Sequence, residues 1–238
     1  MLCEIKQPFK DADHARERAA FRNAGHNQMR LMYSPRTWLV AAAATTVVDV
    51  GSYTGVDLAM FMDRAGPLAA NVTIHTFEPV WGTREALKRR TRDYAQIMVH
   101  PYGLGASKDT MCIRGLGDGV ALERITRKRP CLPNNRAFIV DAWTAIRKLP
   151  RPVDLLQLNC EGCELPVLTR LLREKTLTQY IKTIEVQFHR PFVSESDYCM
   201  IDSQLRALGY NLEYRYTYVW ERWTRLNSQQ HLHRELGS

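Results

Sequence analysis

Short apolar runs rich in β-branched residues alternate with longer amphipathic segments along most of this 238-residue chain, which predicts alternating strands and helices. The first predicted helix runs from Asp11 to Met32. The predicted strands are Thr46–Val50, Val72–Phe77, Ala95–His100, Ala137–Val140, Pro152–Asn159 and Ile181–Phe188. The other predicted helices are Gly55–Arg64, Thr83–Tyr94, a segment capped by Asp141 that ends at Leu149, Leu165–Glu174 and Glu195–Leu208.

Two aromatic segments of strand character, Tyr210–Tyr218 and Val219–Leu226, follow the last predicted helix and predict a final antiparallel pair. Strands that alternate with helices form a doubly wound sheet with right-handed crossovers. The sequence therefore predicts an α/β fold. We expect a Rossmann-like, doubly wound, mostly parallel seven-stranded sheet with an antiparallel last strand, plus an N-terminal helix.

The chain divides into three predicted parts: an N-terminal helical extension (residues 1–36), one ligand-binding domain (37–228) and a flexible tail (229–238). A chain of this length with 45% hydrophobic residues suits a single α/β domain with a full core. Residues 106–136 are rich in glycine and arginine and show no regular period. We interpret them as an insertion that carries short strands or a mobile loop.

The formal net charge of +8 favours an anionic partner. Basic residues cluster at Arg84–Arg92, Arg124–Arg136 and Arg147–Arg151. Such clusters suit nucleic acid, a phosphorylated or sulfated substrate, or a nucleotide sugar. The alternative is an ordinary solvated surface rich in arginine, because charge runs carry little information about a site.

The chain shows no signal-peptide pattern in Met1–Lys10, and its longest apolar run, Trp38–Ala44, is far shorter than the ~20 residues of a membrane span. We therefore expect a cytoplasmic protein without a membrane span. Its six cysteines are scattered, and we expect them to be mostly reduced. Cys160 and Cys163 form a Cys-x-x-Cys pair, but no second Cys/His pair with suitable spacing accompanies it, so no metal site is predicted.

The first strand ends in an acid and runs into a glycine turn, which is where open α/β sheets bind nucleotide-like ligands. The turn contains Asp49, Gly51, Ser52, Tyr53 and Gly55. A dinucleotide site needs a glycine where Tyr53 stands, because the pyrophosphate approaches the backbone closely there. An acid near the positively charged sulfonium of S-adenosylmethionine is favourable. The turn therefore favours S-adenosylmethionine, with a plain strand–turn–helix as the alternative.

Polar side chains follow three other predicted strands at the same edge of the sheet. Glu78 ends the second strand, where a carboxylate can accept hydrogen bonds from ribose hydroxyls. Asn159, Glu161 and Glu164 follow a later strand and could bind a substrate hydroxyl, although the two acids also suit the first turn of a helix. Alternation places Glu185, Gln187 and His189 on one side of the next strand. His189 could act as a general base or be structural.

Five segments, in this order, resemble the FkbM-type methyltransferase family, a branch of the class I S-adenosylmethionine-dependent enzymes. They are Val48–Gly55, Phe77–Pro79, Tyr102–Gly105, Asp154–Glu164 and Ile184–His189. The resemblance covers roughly Thr46 to Tyr218. The chain departs from the family pattern at Gln157 and Asn159, where a lysine and an aspartate are usual. Asn159 cannot take a proton, which weakens any role as a base or metal ligand.

The resemblance implies a methyltransferase that uses S-adenosyl-L-methionine. The expected cofactor-binding residues are Asp49, Gly51, Ser52, Tyr53, Gly55, Glu78, Pro79, Tyr102, Gly103, Leu104 and Asp141. The candidate catalytic residues are His189, the first choice of general base, Glu161, the second, and Asn159. The candidate substrate-binding residues are Glu164, Glu185 and Gln187.

The net charge favours an anionic acceptor, and the family resemblance favours a carbohydrate one. O-methylation of a sugar hydroxyl in a glycan or nucleotide sugar is therefore the leading hypothesis. An RNA methyltransferase is the alternative suggested by the basic clusters. A binding module that keeps the fold without catalysis is suggested by Asn159. Fold alone does not separate these functions, and the sequence leaves the oligomeric state open.

Overall fold

The computed structural model describes residues 3, 9–25, 29–41, 43–114, 121–126, 129–150 and 152–225. The predicted tail at 229–238 lies outside these residues, and the division into three parts stays a prediction. In the described part of the chain, no helix is long and apolar enough to cross a membrane.

The structure contains strands and helices in close alternation. The strands are β1 (Thr45–Val50), β2 (Val72–Phe77), β3 (Ile97–His100), β4 (Gly103–Gly105), β5 (Asp109–Arg114), β6 (Ala121–Arg124), β7 (Arg136–Asp141), β8 (Val153–Leu158), β9 (Ile181–Val186), β10 (Tyr210–Tyr216) and β11 (Trp220–Arg225). The α-helices are α1 (Asp11–Asn23), α2 (Val56–Ala65), α3 (Trp81–Thr91), α4 (Ala142–Ile146), α5 (Glu164–Leu172), α6 (Leu177–Tyr180) and α7 (Glu195–Ala207).

The main sheet has seven strands in the order β10-β11-β9-β8-β1-β2-β3. Strands β3, β2, β1, β8 and β9 are parallel to one another. The last strand, β11, pairs antiparallel with both β9 and β10. The predicted fold class is therefore confirmed. The strand order reverses direction between β1 and β8, and a crevice forms at the carboxyl ends of the strands at such a switch point.

Strand β1 lies inside the sheet, between β8 and β2, and all six of its residues are buried. Its β-branched residues suit a strand covered on both faces. On one face Val47 and Leu155 pack in a cluster with Leu58 of α2. On the other face Val48 and Leu156 pack in a second cluster, together with side chains of α5 and α7. Two helical layers therefore fix the position of the turn that follows β1.

A second sheet of four strands, in the order β4-β7-β5-β6, lies where an irregular insertion was expected. Strands β5 and β6 form an antiparallel pair, and β7 joins β4 and β5. The predicted strand Ala137–Val140 exists as β7, but it belongs to this second sheet. The described part of residues 106–136 thus forms short strands, one of the two expected outcomes.

The N-terminal helix is shorter than predicted. It ends at Asn23, and the expectation that it continues to Met32 is wrong. Gly25 adopts a left-handed conformation with φ 77°, and its N–H donates to the carbonyl oxygen of Arg22 at 3.1 Å. A left-handed glycine ends a helix in this way. A 3₁₀ turn at Leu31–Tyr33 follows further along the chain.

The cysteines differ from the expectation, because all six are paired in disulfides. The pairs are Cys3–Cys199, Cys112–Cys131 and Cys160–Cys163, with Cα atoms 5.3, 5.6 and 5.5 Å apart. The prediction of reduced thiols is wrong because it used positions along the chain, whereas two of the pairs are 196 and 19 residues apart in sequence. Disulfides persist in oxidising compartments, so the cysteines no longer support a cytoplasmic location.

Replacing both Cys3 and Cys199 by serine should lower the free energy of unfolding by about 2–4 kcal/mol, because the bond closes a very long loop of the unfolded chain. Urea denaturation without reductant measures the loss. With reductant present, the double variant and the wild type should unfold at the same urea concentration. Six thiols that react with iodoacetamide in denatured, unreduced wild-type protein would contradict the pairing.

Candidate functional site

A cavity of ≈ 400 Å³ opens at the carboxyl ends of β1 and β2, between them and the loop after β8. It is lined in part by eight of the residues predicted from the sequence: Gly51, Tyr53, Glu78, Pro79, Gly103, Leu104, Asn159 and Glu161. Apolar side chains that the sequence did not single out complete the wall, among them Ile139, Met111 and Phe192. Side chains from separate parts of the chain therefore meet in one concave site of the size that small ligands use.

Gly51 sets how closely the ends of the strands approach each other. It has φ 90°, and a Cβ atom there would overlap the backbone carbonyl of Asn159. The N–H of Gly51 donates to the carbonyl oxygen of Phe77 at 3.3 Å. The N–H of Asn159 donates to the carbonyl oxygen of Val50 at 3.0 Å. Only glycine combines this conformation with this contact. The turn after β1 is thereby fixed against both neighbouring segments.

Glu78 is a nearly buried carboxylate held by two backbone groups. Its Oε2 accepts from the N–H of Tyr53 at 3.1 Å, and its Oε1 accepts from the N–H of Val80 at 2.9 Å. Burial raises the pKa of Glu78, although these hydrogen bonds oppose the shift. Tyr53 has φ 50°, a strained conformation for a residue with a side chain. The carboxylate of Glu78 therefore fixes the turn that carries Tyr53, and the turn in return fixes the carboxylate at the cavity.

Asp49 lies beneath the turn and does not line the cavity. Ser52 Oγ donates to its Oδ2 at 2.6 Å, and Gln157 Nε2 donates to its Oδ1 at 2.8 Å. Arg30 in turn donates to Gln157 Oε1 at 3.0 Å. Burial raises the pKa of Asp49 to about 6. Gln157, which departs from the family pattern, thus connects the N-terminal segment to the acid below the turn.

His189 lies between two carboxylates. Its Nδ1 is 2.8 Å from Oε1 of Glu164, and its Nε2 is 2.9 Å from Oε1 of Glu161. Burial alone would lower the pKa of His189, but the hydrogen bonds and charges of Glu164 and Glu161 raise it above its ordinary value. The histidine therefore changes its protonation state at a higher pH than a free imidazole.

The loop after β8 is held by several independent contacts. Glu164 is fully buried, and its two oxygens accept from the N–H groups of Cys160 at 2.8 Å and Gly162 at 3.0 Å. Glu161 has φ 53° and Gly162 has φ 112°, and the Cys160–Cys163 disulfide spans both residues. The Cys-x-x-Cys pair, interpreted from the sequence as ordinary thiols, instead closes the loop that carries Glu161.

Several predicted residues lie away from the cavity wall. Asp141 caps α4 by accepting from the N–H of Thr144 at 2.7 Å, and it pairs with Arg170 at 2.5 Å. Glu185 is fully buried and pairs with Arg222 at 2.9 Å. Three more predicted residues lie away from the wall: Ser52, which donates to Asp49, Gly55, the N-cap of α2, and Tyr102, whose ring packs on those of Phe77 and His100. Within the described ranges, no group of three or more His, Cys, Asp or Glu side chains could hold a metal ion.

A second cavity of ≈ 570 Å³ shares Glu161 with the first. Predicted residues Gln187 and His189 line it, at the end of β9. Its other polar residues come from α1 and the segment after β9: Asp11, His14, Arg18 and Arg190. From the sequence, the N-terminal helix could cover the ligand site, pack on the sheet edge or bind a partner, but none of its residues was singled out. The spacing of Asp11, His14 and Arg18 on one helical face was the available signal.

No protein-family model matches this chain, and no curated protein matches its sequence. Among solved structures, Aeropyrum pernix fibrillarin with natively bound S-adenosyl-L-methionine is 13% identical, with 76% of this chain and 67% of that chain covered and a TM-score of 0.43. A putative RNA methyltransferase from Pyrococcus horikoshii is 9% identical, with coverages of 87% and 85% and a TM-score of 0.45. The METTL16 methyltransferase domain is 10% identical, with coverages of 93% and 84% and a TM-score of 0.47. Such distant similarity carries no functional argument, so function has to be inferred from the residues of the site.

Replacing Asp49 by asparagine should make the protein more stable at pH 8, by about 1–3 kcal/mol. The carboxyl has a raised pKa of about 6, so its contribution to stability is full below its ordinary pKa of 3.8 and is lost as the pH rises through 6. The gain should shrink towards pH 4. Urea denaturation at both pH values measures it, with the exposed Asp93→Asn as the control. A variant less stable than wild type at pH 8 would contradict the assignment.

Proposed function

We propose that this chain is an S-adenosyl-L-methionine-dependent O-methyltransferase, similar to the FkbM-type family, that acts on a sugar hydroxyl of a glycan or nucleotide sugar. The observation that carries the proposal is the pair of adjoining cavities with Glu161 in their common wall. One cavity would hold the cofactor and the other the acceptor. Methyl transfer needs this arrangement, because the two reactants must meet in line with water excluded.

The first cavity fits the cofactor in its donor groups and its shape. Glu78 uses each oxygen for one backbone N–H, and a carboxylate oxygen has a further lone pair to accept from a ribose hydroxyl. Gly51 lines this cavity and lets the turn pack closely against the backbone of Asn159. Apolar groups of Phe77, Leu104 and Ile139 would face the adenine. The buried charge of Asp49 would favour the positively charged amino-acid end.

The chemistry on the acceptor side would depend on His189 and its two carboxylates. When bound, the cofactor supplies a methyl group on a sulfonium sulfur. A C–O bond would form as the C–S bond breaks, and the hydroxyl proton would pass to the pair formed by His189 and Glu161. Glu164 would hold the imidazole ring through Nδ1. Asn159 lines the first cavity with its backbone fixed against the turn, and it would take no proton.

An RNA acceptor is the second candidate, because the last turn of α3 presents the exposed residues Lys88, Arg89 and Arg90. A labelled-methyl transfer screen against glycans, nucleotide sugars and RNA compares the two. An RNA enzyme would lose affinity steeply with salt, in proportion to the number of phosphates contacted. Transfer to RNA alone would overturn the sugar proposal, and cofactor binding without transfer to any acceptor would support a binding module.

Replacing Glu78 by glutamine should weaken the binding of S-adenosyl-L-methionine and of its demethylated product by about 10- to 100-fold. Hydrogen bonds to a charged group contribute about 1.5–3 kcal/mol. Calorimetry measures both dissociation constants, which we expect to be micromolar or tighter for the wild type. Glu213→Gln, which changes an exposed carboxylate, is the control. If the wild type bound neither S-adenosyl-L-methionine nor its demethylated product, the methyltransferase proposal would be wrong.

Replacing His189 by glutamine should lower the turnover number by about 10²-fold or more, since general bases contribute on this scale. The wild-type rate should rise with pH through the raised pKa of His189, because the proton-free imidazole is the active form. The variant should lose this rise. Initial rates between pH 6 and 9 test both effects, and an unchanged cofactor affinity shows that the site is intact. A near-normal rate would remove His189 from the role of base.

A further inference from the structure

On its α1 side, the second cavity carries more positive charge than the acid there neutralises. Arg190 pairs with Asp11, and His189 pairs with Glu161. Arg18 is exposed, and among the described residues it has no ion-pair partner. His14 lines the same cavity as both arginines, and its Nε2 lies 3.2 Å from the carbonyl oxygen of Tyr218. Burial lowers the pKa of His14, and the charges of Arg18 and Arg190 act in the same direction, against the hydrogen bond to Tyr218. The α1 side of the cavity therefore has an excess cation and a neutral imidazole.

The ion pair between Asp11 and Arg190 is easily exchanged. The carboxylate of Asp11 is fully exposed, and such pairs contribute little to stability. An anion that enters the cavity could take the place of Asp11 on Arg190 and also pair with Arg18. The guanidinium group matches the oxygens of phosphate, sulfate or carboxylate.

The rest of the cavity suits a sugar ring. Phe188, Tyr218 and Val219 provide apolar surface, and Gln187 provides a donor and an acceptor. His189 and Glu161 complete the wall towards the first cavity. The basic residues Lys88–Arg90 of α3, which would suit a long nucleic acid, are not part of this lining. The cavity thus combines an anion-binding end, an apolar surface and a proton-accepting end.

We propose that the second cavity binds a sugar acceptor that carries an anionic group, with Arg18 and Arg190 holding that group and His189 and Glu161 facing the hydroxyl. The proposal rests on the proposed function in placing the acceptor here. It adds the substrate class: a phosphorylated, sulfated or uronic sugar rather than a neutral one. It also makes α1 part of the binding site.

Calorimetry with matched sugars tests the charge requirement. The probes are N-acetylglucosamine, its 6-phosphate, its 6-sulfate, glucuronic acid, inorganic phosphate and a short single-stranded RNA, each added to the full chain with S-adenosylhomocysteine present and absent. At least one anionic sugar should bind about tenfold or more tightly than neutral N-acetylglucosamine. The 6-phosphate, the 6-sulfate and glucuronic acid distinguish the three anions. Inorganic phosphate binding as tightly as every anionic sugar would overturn the sugar part of the proposal.

Arg18→Gln should weaken binding of the preferred anionic sugar by about tenfold and leave that of neutral N-acetylglucosamine unchanged. Arg22→Gln, an exposed position one turn further along α1, is the matched control and should bind like the wild type. Equal binding of charged and neutral sugars, or wild-type affinity of Arg18→Gln, would overturn the proposal. The proposal would also be overturned if RNA displaced the sugars and its affinity fell equally in Arg18→Gln and Arg22→Gln.

The two proposals fail in different ways. An anionic sugar that binds through Arg18 when S-adenosylhomocysteine shows no binding would overturn the methyltransferase and keep the sugar site. S-adenosylhomocysteine binding without any preference among the sugars would overturn the sugar site alone.

Discussion

The carboxylate of Glu164 is the interaction on which the candidate site depends most. It is fully buried, and it accepts hydrogen bonds from two N–H groups of the loop after β8 while also contacting the ring of His189. A buried charge is stable only when its partners satisfy it. The same requirement therefore fixes the path of the loop and the plane of the imidazole. Neither the strained Glu161 nor His189 would keep its position without this anchor.

The contact between Gly51 and the backbone of Asn159 has a similar role at the first cavity. It sets the distance between the carboxyl ends of β1 and β8, and so the width of the crevice. Asp49, Ser52 and Gln157 support the turn from below through hydrogen bonds. Polar groups that do not line the cavity thus decide the shape of its wall. Asp49 therefore supports the shape of the site although burial disfavours its charged form.

The fold and half of the site followed from local patterns in the sequence. Gly51 and Glu78 were recognisable because a strand end followed by a glycine or an acid is a short-range signal. The partners of His189 were named as separate candidates, but their contact with it depends on how the loop closes. The contribution of Arg18, the pairing of the cysteines and the link from Arg30 to Gln157 were missed. Each joins segments far apart in the chain, and no periodicity in the sequence reports such contacts.

The link from Arg30 through Gln157 to Asp49 also constrains the order of folding. Arg30 and Gln157 are 127 residues apart, and Asp49 and Gln157 are 108 apart. Contacts at such separations form late, because the chain must first lose the entropy of closing large loops. The helices and individual strands can form earlier from nearby residues. During refolding, ligand binding should therefore return after most of the secondary structure, when the N-terminal segment has reached the underside of the turn.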